Sequence, residues 1–244
     1  MRLDAWLVET GAVRSRERAK EAIKAGNVRI NGTLASKAST TISPTDEVTC
    51  EGETHAYVSR AALKLLKGLE YFKVDPAGKI CLDLGASTGG FTQVLLEQGA
   101  IKIYAVDVGH GQLDEALCQS PQVINMERTH AKVLSRQLIA DPIELLVCDV
   151  SFISLTKALP SAMSLCARGA KIVALVKPQF EVGPGHIGKG GLVSMPRQDQ
   201  IEFIQRTIYP MLTGADWVVS GLTESPIKGG DGNTEYLLGA QYAP

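Results

Sequence analysis

Glycines and acidic residues follow two apolar segments at a spacing suited to ligand binding. The first segment contains Asp83 and runs into a loop with glycines at 85, 89 and 90, and the second ends at Asp107. Glycines let the backbone approach a ligand closely, and a carboxylate at the next strand end can bind a ribose diol. The Gly-x-x-x-Gly-Gly spacing is not that of dinucleotide sites, so a dinucleotide is disfavoured. The alternative is a purely structural turn.

Two further apolar segments end in residues that can act on a hydroxyl group. Asp149 follows one of them, and Lys177 follows the five apolar residues 172–176. Because burial disfavours a charged amine, we expect a lowered pKa for Lys177, which suits it to polarise a hydroxyl. The alternatives are a helix-capping aspartate and an ordinary strand end. Lys64 and Glu235 carry little information by themselves.

Basic residues concentrate at the N-terminus, although the net charge of the whole chain is −1. Residues 1–40 hold eight basic and four acidic side chains, a balance of +4. Arg16, Lys20 and Lys24 recur every four residues and therefore share one face of a helix. This basic stripe is either a nucleic-acid surface or an ordinary solvated face. Three more arginines flank it: Arg14, Arg18 and Arg29.

Residues 1–50 are predicted to form a small α/β module that presents the basic stripe. The first residues have helical spacing, and Ser15 is expected to cap a second helix. Asn31-Gly32 is a strong signal for a two-residue hairpin turn. Short strands are expected around Leu34 and Val48.

After a polar, glycine-containing linker at 51–57, residues 58–244 alternate helices with buried strands. Continuous apolar strands between helices predict a mostly parallel sheet covered on both faces, an α/β fold. A last strand, Tyr236–Gln241, is expected to pair antiparallel at the end of the sheet. The other predicted strands are Lys79–Leu84, Lys102–Val106, Val123–Met126, Leu145–Cys148, Lys171–Val176 and Trp217–Leu222. The predicted helices are Ser59–Leu69 (capped by Ser59), Thr92–Gln98, Leu155–Cys166 and Gln198–Met211.

The composition excludes several classes of protein. Of 244 residues, 45% are hydrophobic, which suffices for a sizeable core and excludes a disordered chain. The apolar runs are far shorter than the ~18 residues that a membrane span requires, and no signal-peptide pattern is present. We therefore expect a cytoplasmic protein. The five cysteines and four histidines lack metal-ligand spacing, so free thiols and no metal are expected.

Six motifs, taken together, carry a family resemblance. They are Ser59-Arg60-x-x-x-Lys64, Asp83–Thr92, Val106–Leu113, Cys148–Ser154, Val176–Glu181 and Gly232–Tyr236. Over essentially the whole chain, the sequence resembles the TlyA family, the so-called hemolysin A proteins, which are similar to FtsJ-type RNA 2′-O-methyltransferases. The resemblance implies a class I (Rossmann-like) S-adenosylmethionine-dependent methyltransferase domain with a mostly parallel seven-stranded sheet. It also implies that the N-terminal module is an RNA-binding domain of the ribosomal-protein S4 type.

The resemblance implies a Lys-Asp-Lys-Glu catalytic tetrad, which maps onto Lys64, Asp149, Lys177 and Glu235. The implied reaction is transfer of a methyl group from S-adenosylmethionine to the ribose 2′-OH of a cytidine in ribosomal RNA. A 2′-OH is a poor nucleophile, so Lys177 is expected to activate it and to stabilise the developing alkoxide. Lys64 and Glu235 would hold the ribose and tune Lys177, and Asp149 would order Lys177 and the cleft.

The strand-end spacing, the basic stripe and the resemblance together indicate the binding residues. The expected cofactor residues are Asp83, Gly85, Ser87, Gly89, Gly90, Phe91, Asp107, Val108 and Asp149. The expected RNA contacts are Arg14, Arg16, Arg18, Lys20, Lys24, Arg29, Arg60 and Lys189. Lys189 lies in a glycine-rich segment, Gly183–Gly191, which is interpreted as a mobile loop closing over RNA or as a flexible surface excursion. His130 stands where family members commonly carry Asn and is interpreted as a spacer.

The sequence is weighed against three other functions. A small-molecule methyltransferase would share the cofactor pocket without needing the basic module. A pore-forming cytolysin, as the historical family name suggests, would need a membrane-active segment, which the sequence lacks. A non-catalytic RNA-binding protein would be expected to lack part of the tetrad. The sequence begins directly at the RNA-binding module and so resembles the shorter form within the family, which implies the large ribosomal subunit as the partner; the sequence does not predict the oligomeric state.

Overall fold

The computed structural model of the protein describes residues 1–13, 16–43, 45–50 and 57–244. The chain divides into two compact units, Met1–Ser59 and Arg60–Pro244. Arg14, Ser15 and all of the predicted linker at 51–57 except its last residue lie outside the described residues.

The first unit combines two helices with a three-stranded antiparallel sheet of order β2-β1-β3. Asn31 and Gly32 have φ angles of 50° and 77°, and a two-residue hairpin turn requires such left-handed backbone at both positions. The predicted turn and short strands are therefore confirmed. The elements are α1 (Leu3–Glu9), α2 (Arg16–Lys24), β1 (Val28–Ile30), β2 (Thr33–Leu34) and β3 (Val48–Cys50).

Helix α2 separates apolar from basic residues as its spacing predicts. Ala19 and Ile23 are buried in the core of the first unit. Arg16, Lys20 and Lys24 are exposed. The basic stripe is therefore a real feature of the surface of this unit.

The second unit is a seven-stranded sheet of order β6-β5-β4-β7-β8-β10-β9. Strands β6, β5, β4, β7 and β8 run parallel, and β10 is antiparallel to both of its neighbours. The strands are β4 (Ile80–Leu84), β5 (Lys102–Val106), β6 (Val123–Met126), β7 (Ile143–Cys148), β8 (Cys166–Val176), β9 (Trp217–Glu224) and β10 (Tyr236–Tyr242). The helices are α3 (Ala61–Phe72), α4 (Gly90–Glu97), α5 (Glu115–Cys118), α6 (Leu155–Met163), α7 (Pro178–Glu181) and α8 (Arg197–Thr213). The mostly parallel sheet confirms the predicted fold class.

Three details of the predicted elements are wrong. The last strand lies between β8 and β9 rather than at the end of the sheet, because Tyr236–Ala240 are all buried, as in a central strand. Cys166 begins β8 instead of ending a helix. Its small and apolar neighbours are compatible with both the helical and the strand periodicity, so the pattern does not distinguish the two. Helix α3 begins at Ala61 with Arg60 at its N-cap, so Ser59 is not the capping residue.

Two glycines allow helix α3 to lie close to the sheet. A Cβ atom at Gly68 would lie 2.6 Å from Val173 Cγ1 on β8, and one at Gly239 would lie 2.5 Å from the ring of Phe72. Neither distance is tolerated by a real side chain, so glycine is required at both contacts. Lys64 is four residues before Gly68 and therefore on the same, sheet-facing side of α3.

The carboxyl ends of the central parallel strands bring the predicted site residues to one edge of the sheet. Asp107 directly follows β5, Asp149 follows β7, and Lys177 follows β8. The strand residues that precede them are fully buried, so the hydrophobic core fixes where each polar side chain emerges. This edge is the one at which ligands bind in open α/β sheets.

Among the described residues, no helix is both long and apolar enough to cross a membrane. All five cysteines are free thiols. Burial raises the pKa of Cys81, Cys148 and Cys166 to about 12, so these thiols stay protonated in the folded protein.

Candidate active site

The loop after β4 packs directly on the residues that follow β7. Gly85 has a φ angle of 88°, and a Cβ atom there would lie 2.7 Å from the backbone carbonyl oxygen of Asp149. Both the conformation and the space require glycine. The first loop glycine therefore lets two neighbouring strand ends meet, which forms one wall of a cleft.

Asp107 joins the ends of β4 and β5. Its Oδ2 accepts a hydrogen bond from the backbone N–H of Ser87 at 2.8 Å, and its Oδ1 accepts one from Gly109 at 2.7 Å. The carboxylate thus holds the glycine loop and the loop after β5 in register. Each carboxylate oxygen can accept a further hydrogen bond, so this arrangement still permits contact with a diol.

A cavity of about 340 Å³ opens between these strand ends. Five of the nine residues predicted to bind the cofactor line it: Gly85, Ser87, Asp107, Val108 and Asp149. Sequence reasoning did not assign several other lining residues, which include Gln112, Thr129, Val150, Ser151, Phe152 and Ile153. Most of these lie inside the motifs at 106–113 and 148–154, so the motifs themselves were the available signal.

The other four predicted cofactor residues do not line the cavity. A Cβ atom at Gly89 would lie 2.3 Å from the side chain of Leu117, so this glycine makes room for a core contact. Gly90 and Phe91 are buried in the first turn of α4. Asp83 is fully buried and accepts a hydrogen bond from Thr92 Oγ1 at 2.6 Å.

Asp83 is a buried acid beneath the strand ends, and its surroundings favour the protonated form. Burial raises its pKa to about 7 against the hydrogen bond from Thr92, and the negative charge of Asp149 adds to the rise. Its Oδ1 atom is buried and has no hydrogen-bond partner among the described residues. Asp83 lies beneath Asp107 and Asp149, both of which line the cavity, so three acidic side chains lie at this end of the sheet.

The loop after β5 is held by a second acidic residue. Glu127 accepts hydrogen bonds from the backbone N–H groups of residues 111, 112 and 113 at 2.8, 2.7 and 3.2 Å. These bonds lower the pKa of Glu127 to about 2, so it stays ionised. His130 also lines the cavity, and its Nδ1 accepts a hydrogen bond from the N–H of Lys132 at 3.1 Å. His130 therefore caps the 3₁₀ turn Ala131–Val133, a more definite role than the predicted spacer.

The four predicted tetrad residues come together in two ion pairs. Lys64 Nζ lies 2.6 Å from Glu235 Oε2, and Lys177 Nζ lies 2.7 Å from Asp149 Oδ1. The side chains of Lys64 and Glu235 are only 10% and 3% exposed. Burial raises the pKa of Glu235, and the positive charges of Lys64 and, to a smaller extent, Lys177 oppose that rise. The two pairs are thus close enough to interact electrostatically.

Lys177 is held at the edge of the cavity. Its Nζ donates a hydrogen bond to Ser151 Oγ at 2.8 Å. Ser151 and Asp149, the two partners of this amine, both line the cavity. The amine is therefore fixed next to the space where a ligand would bind, and only 11% of the Lys177 side chain is exposed.

An aromatic side chain stands in solvent at the mouth of the same cavity. Phe152 is 91% exposed and has a φ angle of 65°, which is uncommon for a bulky residue. Its ring centroid lies 5.1 Å from that of Phe180, three residues after Lys177. The two rings therefore connect the loop after β7, which carries Asp149, with the loop after β8, which carries Lys177.

The glycine-rich segment Gly183–Gly191 has regular structure in its second half. Ile187 and Val193 form an antiparallel bridge, and Gly188 N–H donates to Leu192 O at 2.7 Å. Lys189 lies exposed at the tip of this turn. We call residues 186–194 the glycine hairpin; its closure over RNA, with Lys189 touching phosphate, stays a prediction.

The predicted RNA residues of the first unit differ in their surroundings. Arg16 donates to Asp4 Oδ2 at 3.0 Å, and Arg2 binds both oxygens of the same carboxylate. Asp4 is fully buried, so Arg16 completes a structural ion cluster as well as belonging to the basic stripe. Hydrogen bonds from Arg2 and Arg16 hold the pKa of Asp4 well below its usual range.

The other basic residues predicted to contact RNA differ in their hydrogen bonds and in their exposure. Arg18 donates to the backbone oxygen of Tyr57, and Arg29 donates to Gly32 O at 3.1 Å. Lys20 and Lys24 are exposed on α2, and Arg60 occupies the N-cap of α3 in the second unit.

The sheet topology, the cavity at its carboxyl edge and the Lys-Asp-Lys-Glu cluster define the second unit as an FtsJ-like methyltransferase domain. Comparison with known families agrees: the FtsJ-like methyltransferase family matches residues 57–242, and the S4 domain matches residues 1–48. The chain belongs to the TlyA family. The predicted family, fold class and S4-type module are thereby confirmed.

Two curated relatives and one solved structure illustrate the similarity. The 16S/23S rRNA (cytidine-2′-O)-methyltransferase TlyA of Mycobacterium tuberculosis is 45% identical over 241 residues, which cover 97% of this chain and 88% of the relative. The 23S rRNA (cytidine-2′-O)-methyltransferase TlyA of Campylobacter jejuni is 38% identical over 195 residues, 79% of this chain and 74% of the relative. A solved structure of a Streptococcus thermophilus protein named as a hemolysin is 37% identical, with a TM-score of 0.79, and the match covers 100% of this chain and 88% of that one.

Proposed function

We propose that this protein transfers a methyl group from S-adenosylmethionine to the ribose 2′-OH of a cytidine in ribosomal RNA. The observation that carries the proposal is the position of Lys177. Its amine contacts Asp149 and Ser151, both of which line the cavity, and it lies beside a second buried ion pair. An amine fixed beside a cofactor-sized cavity suits transfer between a bound cofactor and a hydroxyl.

The residues around the cavity fit a cationic nucleoside cofactor. Asp107 lines the cavity and can accept hydrogen bonds from a ribose diol, and its negative charge favours a cationic ligand. Glu127 fixes the loop that closes one side of the cavity. When bound, S-adenosylmethionine supplies a methyl group on a positively charged sulfur. The chain's own carboxylates stabilise that positive charge and orient the cofactor.

The tetrad supplies the remaining chemistry. The Lys177 amine lies within hydrogen-bond reach of its cleft partners, so a hydroxyl bound there can donate its proton to the amine or be stabilised as an alkoxide by the ammonium. Asp149 and Ser151 restrain the amine, which keeps its position fixed as charge develops. The Lys64–Glu235 pair places a second cation and a second anion beside it.

The basic stripe and the S4-type unit support RNA as the substrate. Lys20 and Lys24 are exposed on α2, where they can bind phosphates. Both curated relatives described above carry 23S rRNA in their names, so we extend the proposal to the large ribosomal subunit. Such a substrate implies a cytoplasmic protein. We keep residues 1–50 as the RNA-binding module and 58–244 as the methyltransferase domain.

Methylation of ribosomal particles with labelled S-adenosylmethionine tests this function. We expect label on the 2′-oxygen of one cytidine, located by mapping the modified nucleotide, and no label with Lys177→Ala. Label on small molecules only would support a small-molecule methyltransferase. Binding without transfer would support a non-catalytic RNA-binding protein, and leakage of liposomes would support a cytolysin.

Asp107→Ala should weaken binding of S-adenosylmethionine by about 1–3 kcal/mol, the scale of a hydrogen bond to a charged group. Isothermal calorimetry with the full chain measures this. Asp75→Ala is the matched control, because Asp75 also caps a backbone N–H, that of Ala77, but lies outside the cavity. Equal affinities for the two variants would contradict the assignment of Asp107.

Lys24→Glu should weaken binding of ribosomal RNA and should make that binding less sensitive to salt. Each lost phosphate contact removes about one unit from the slope of log affinity against log salt. Filter binding at several salt concentrations gives this slope. Lys157→Glu, an exposed lysine on α6 of the other unit, is the matched control and should leave the slope unchanged. If both variants behave alike, the stripe is an ordinary solvated face.

A further inference from the structure

One buried amide fastens the glycine hairpin to the segment that carries Glu235. Asn233 Nδ2 donates to Gly191 O at 2.9 Å, and its Oδ1 accepts from the N–H of Val193 at 2.9 Å. The amide nitrogen and the amide oxygen of Asn233 therefore both form hydrogen bonds with the backbone of the hairpin. Asn233 is only 4% exposed, so these bonds are shielded from water and their loss is not readily replaced.

The same segment is fixed against the tetrad. Gly229 N–H donates to the backbone oxygen of Asn233 at 3.0 Å. A Cβ atom at Gly229 would lie 2.6 Å from Glu235 Oε1, so the loop touches the catalytic carboxylate. Glu235 in turn pairs with Lys64 at 2.6 Å. A continuous set of short contacts therefore runs from the glycine hairpin through Asn233 to the tetrad.

The tip of the glycine hairpin presents a cationic side chain on an open turn, which suits an anionic ligand. Lys189 is exposed there, and the next two residues, Gly190 and Gly191, have φ angles of 87° and 82°. A Cβ atom at Gly190 or Gly191 would meet nothing within 4 Å, so these glycines serve the shape of the turn and leave its outer surface open. A cation on a narrow, anchored turn suits the phosphate of a nucleic-acid backbone.

We propose that Asn233 is a positioning residue that sets the spacing between a phosphate bound at Lys189 and the ribose at the tetrad. This inference rests on the proposed function, since it concerns the same RNA substrate. The side chain of Asn233 touches neither substrate nor cofactor; it acts by holding the hairpin at a fixed distance from Glu235. The group expected at Lys189 is a backbone phosphodiester of the same RNA strand that carries the reacting hydroxyl.

A double-mutant cycle on the full chain tests the link between Asn233 and Lys189. Asn233→Asp keeps the acceptor for Val193 but places a carboxylate oxygen against Gly191 O, so the hairpin loses its register. We expect Asn233→Asp and Lys189→Ala each to raise the KM for ribosomal particles about tenfold, with the Kd for S-adenosylmethionine unchanged. In the double variant, Lys189→Ala should add little, because the hairpin is already displaced.

Asn125→Asp makes the same chemical change on β6, far along the sheet from β8, and should leave KM and Kd at wild-type values. Fully additive effects of Asn233→Asp and Lys189→Ala, or an unchanged KM, would overturn the proposal. Asn233→Ser provides the same cycle if the aspartate variant does not fold; if neither variant folds, Asn233 is a purely structural residue and the proposal fails. Absence of methyl transfer by the wild-type protein would instead contradict the proposed function.

Discussion

Lys177→Ala should lower the single-turnover rate of methyl transfer by about 10²–10⁴, the usual range for a residue that moves or stabilises a proton in the transition state. S-adenosylmethionine and ribosomal RNA should still bind, because the lost interaction is made mainly in the transition state. Lys177→Arg should not restore the rate, since a guanidinium has a different geometry and does not release its proton. The measurement is labelled methyl transfer with RNA and cofactor both saturating.

Lys171→Ala provides a matched control for that experiment. Lys171 also lies on β8, but its Nζ donates to the backbone oxygen of Lys73, away from the cavity. Its removal should leave the rate within a factor of two or so of wild type, as for an ordinary surface change. If the Lys177→Ala protein kept more than about a tenth of the wild-type rate, which is less than 1.4 kcal/mol of barrier, another group would be activating the hydroxyl.

Breaking the buried Lys64–Glu235 pair should destabilise the methyltransferase unit and also remove most activity. Glu235→Leu leaves the Lys64 ammonium buried without its partner, and such changes cost about 3–5 kcal/mol. Replacing both residues, as Lys64→Met with Glu235→Leu, should recover most of that stability, because a buried pair exchanged for apolar groups of similar size is nearly neutral. Activity should not recover with it.

Urea unfolding and single-turnover rates, measured on the wild-type protein and on these two variants, separate the two roles of the pair. A surface pair, Lys67 with Glu70, is the control, since its side chains are 41% and 76% exposed and its loss should change stability by less than about 1 kcal/mol. Full activity in the stable double variant would show that the pair only supports the fold. Failure of the double variant to regain stability would show that packing around Glu235 does not accept apolar side chains.

The sequence alone predicts which polar residues reach the site better than it predicts their contacts and the residues that line the cavity. Apolar runs predict where the parallel strands end, and strands of one parallel sheet end at the same edge, so Asp107, Asp149 and Lys177 are predicted to lie along that edge. The family resemblance added Lys64 and Glu235, which lie far away along the chain. Neither source predicted the hydrogen bond from Lys177 to Ser151, because a serine next to an aspartate has no distinguishing pattern.

Other features depend on contacts that no local pattern encodes. Gly89 was expected to face the cofactor, but it is pressed against Leu117, whose position is set by the packing of α5. Arg16 fits the spacing of the basic stripe, yet its partner Asp4 is twelve residues away and buried. Tertiary packing determines what such a residue contacts, whereas the periodicity of the sequence indicates only which face of an element the residue lies on.

The position of β10 between β8 and β9 sets an order of assembly for the newly made chain. Strand β9 is synthesised first, but its neighbour in the sheet is β10, which comes from the ribosome later. Until then β9 has an open edge, and such edges are prone to wrong pairings. Glu235 directly precedes β10, so it reaches Lys64 only when this strand inserts, 171 residues along the chain from its partner. Completion of the sheet and pairing of Lys64 with Glu235 are therefore one late event, and the proposed tetrad is incomplete in a nascent chain until β10 is in place.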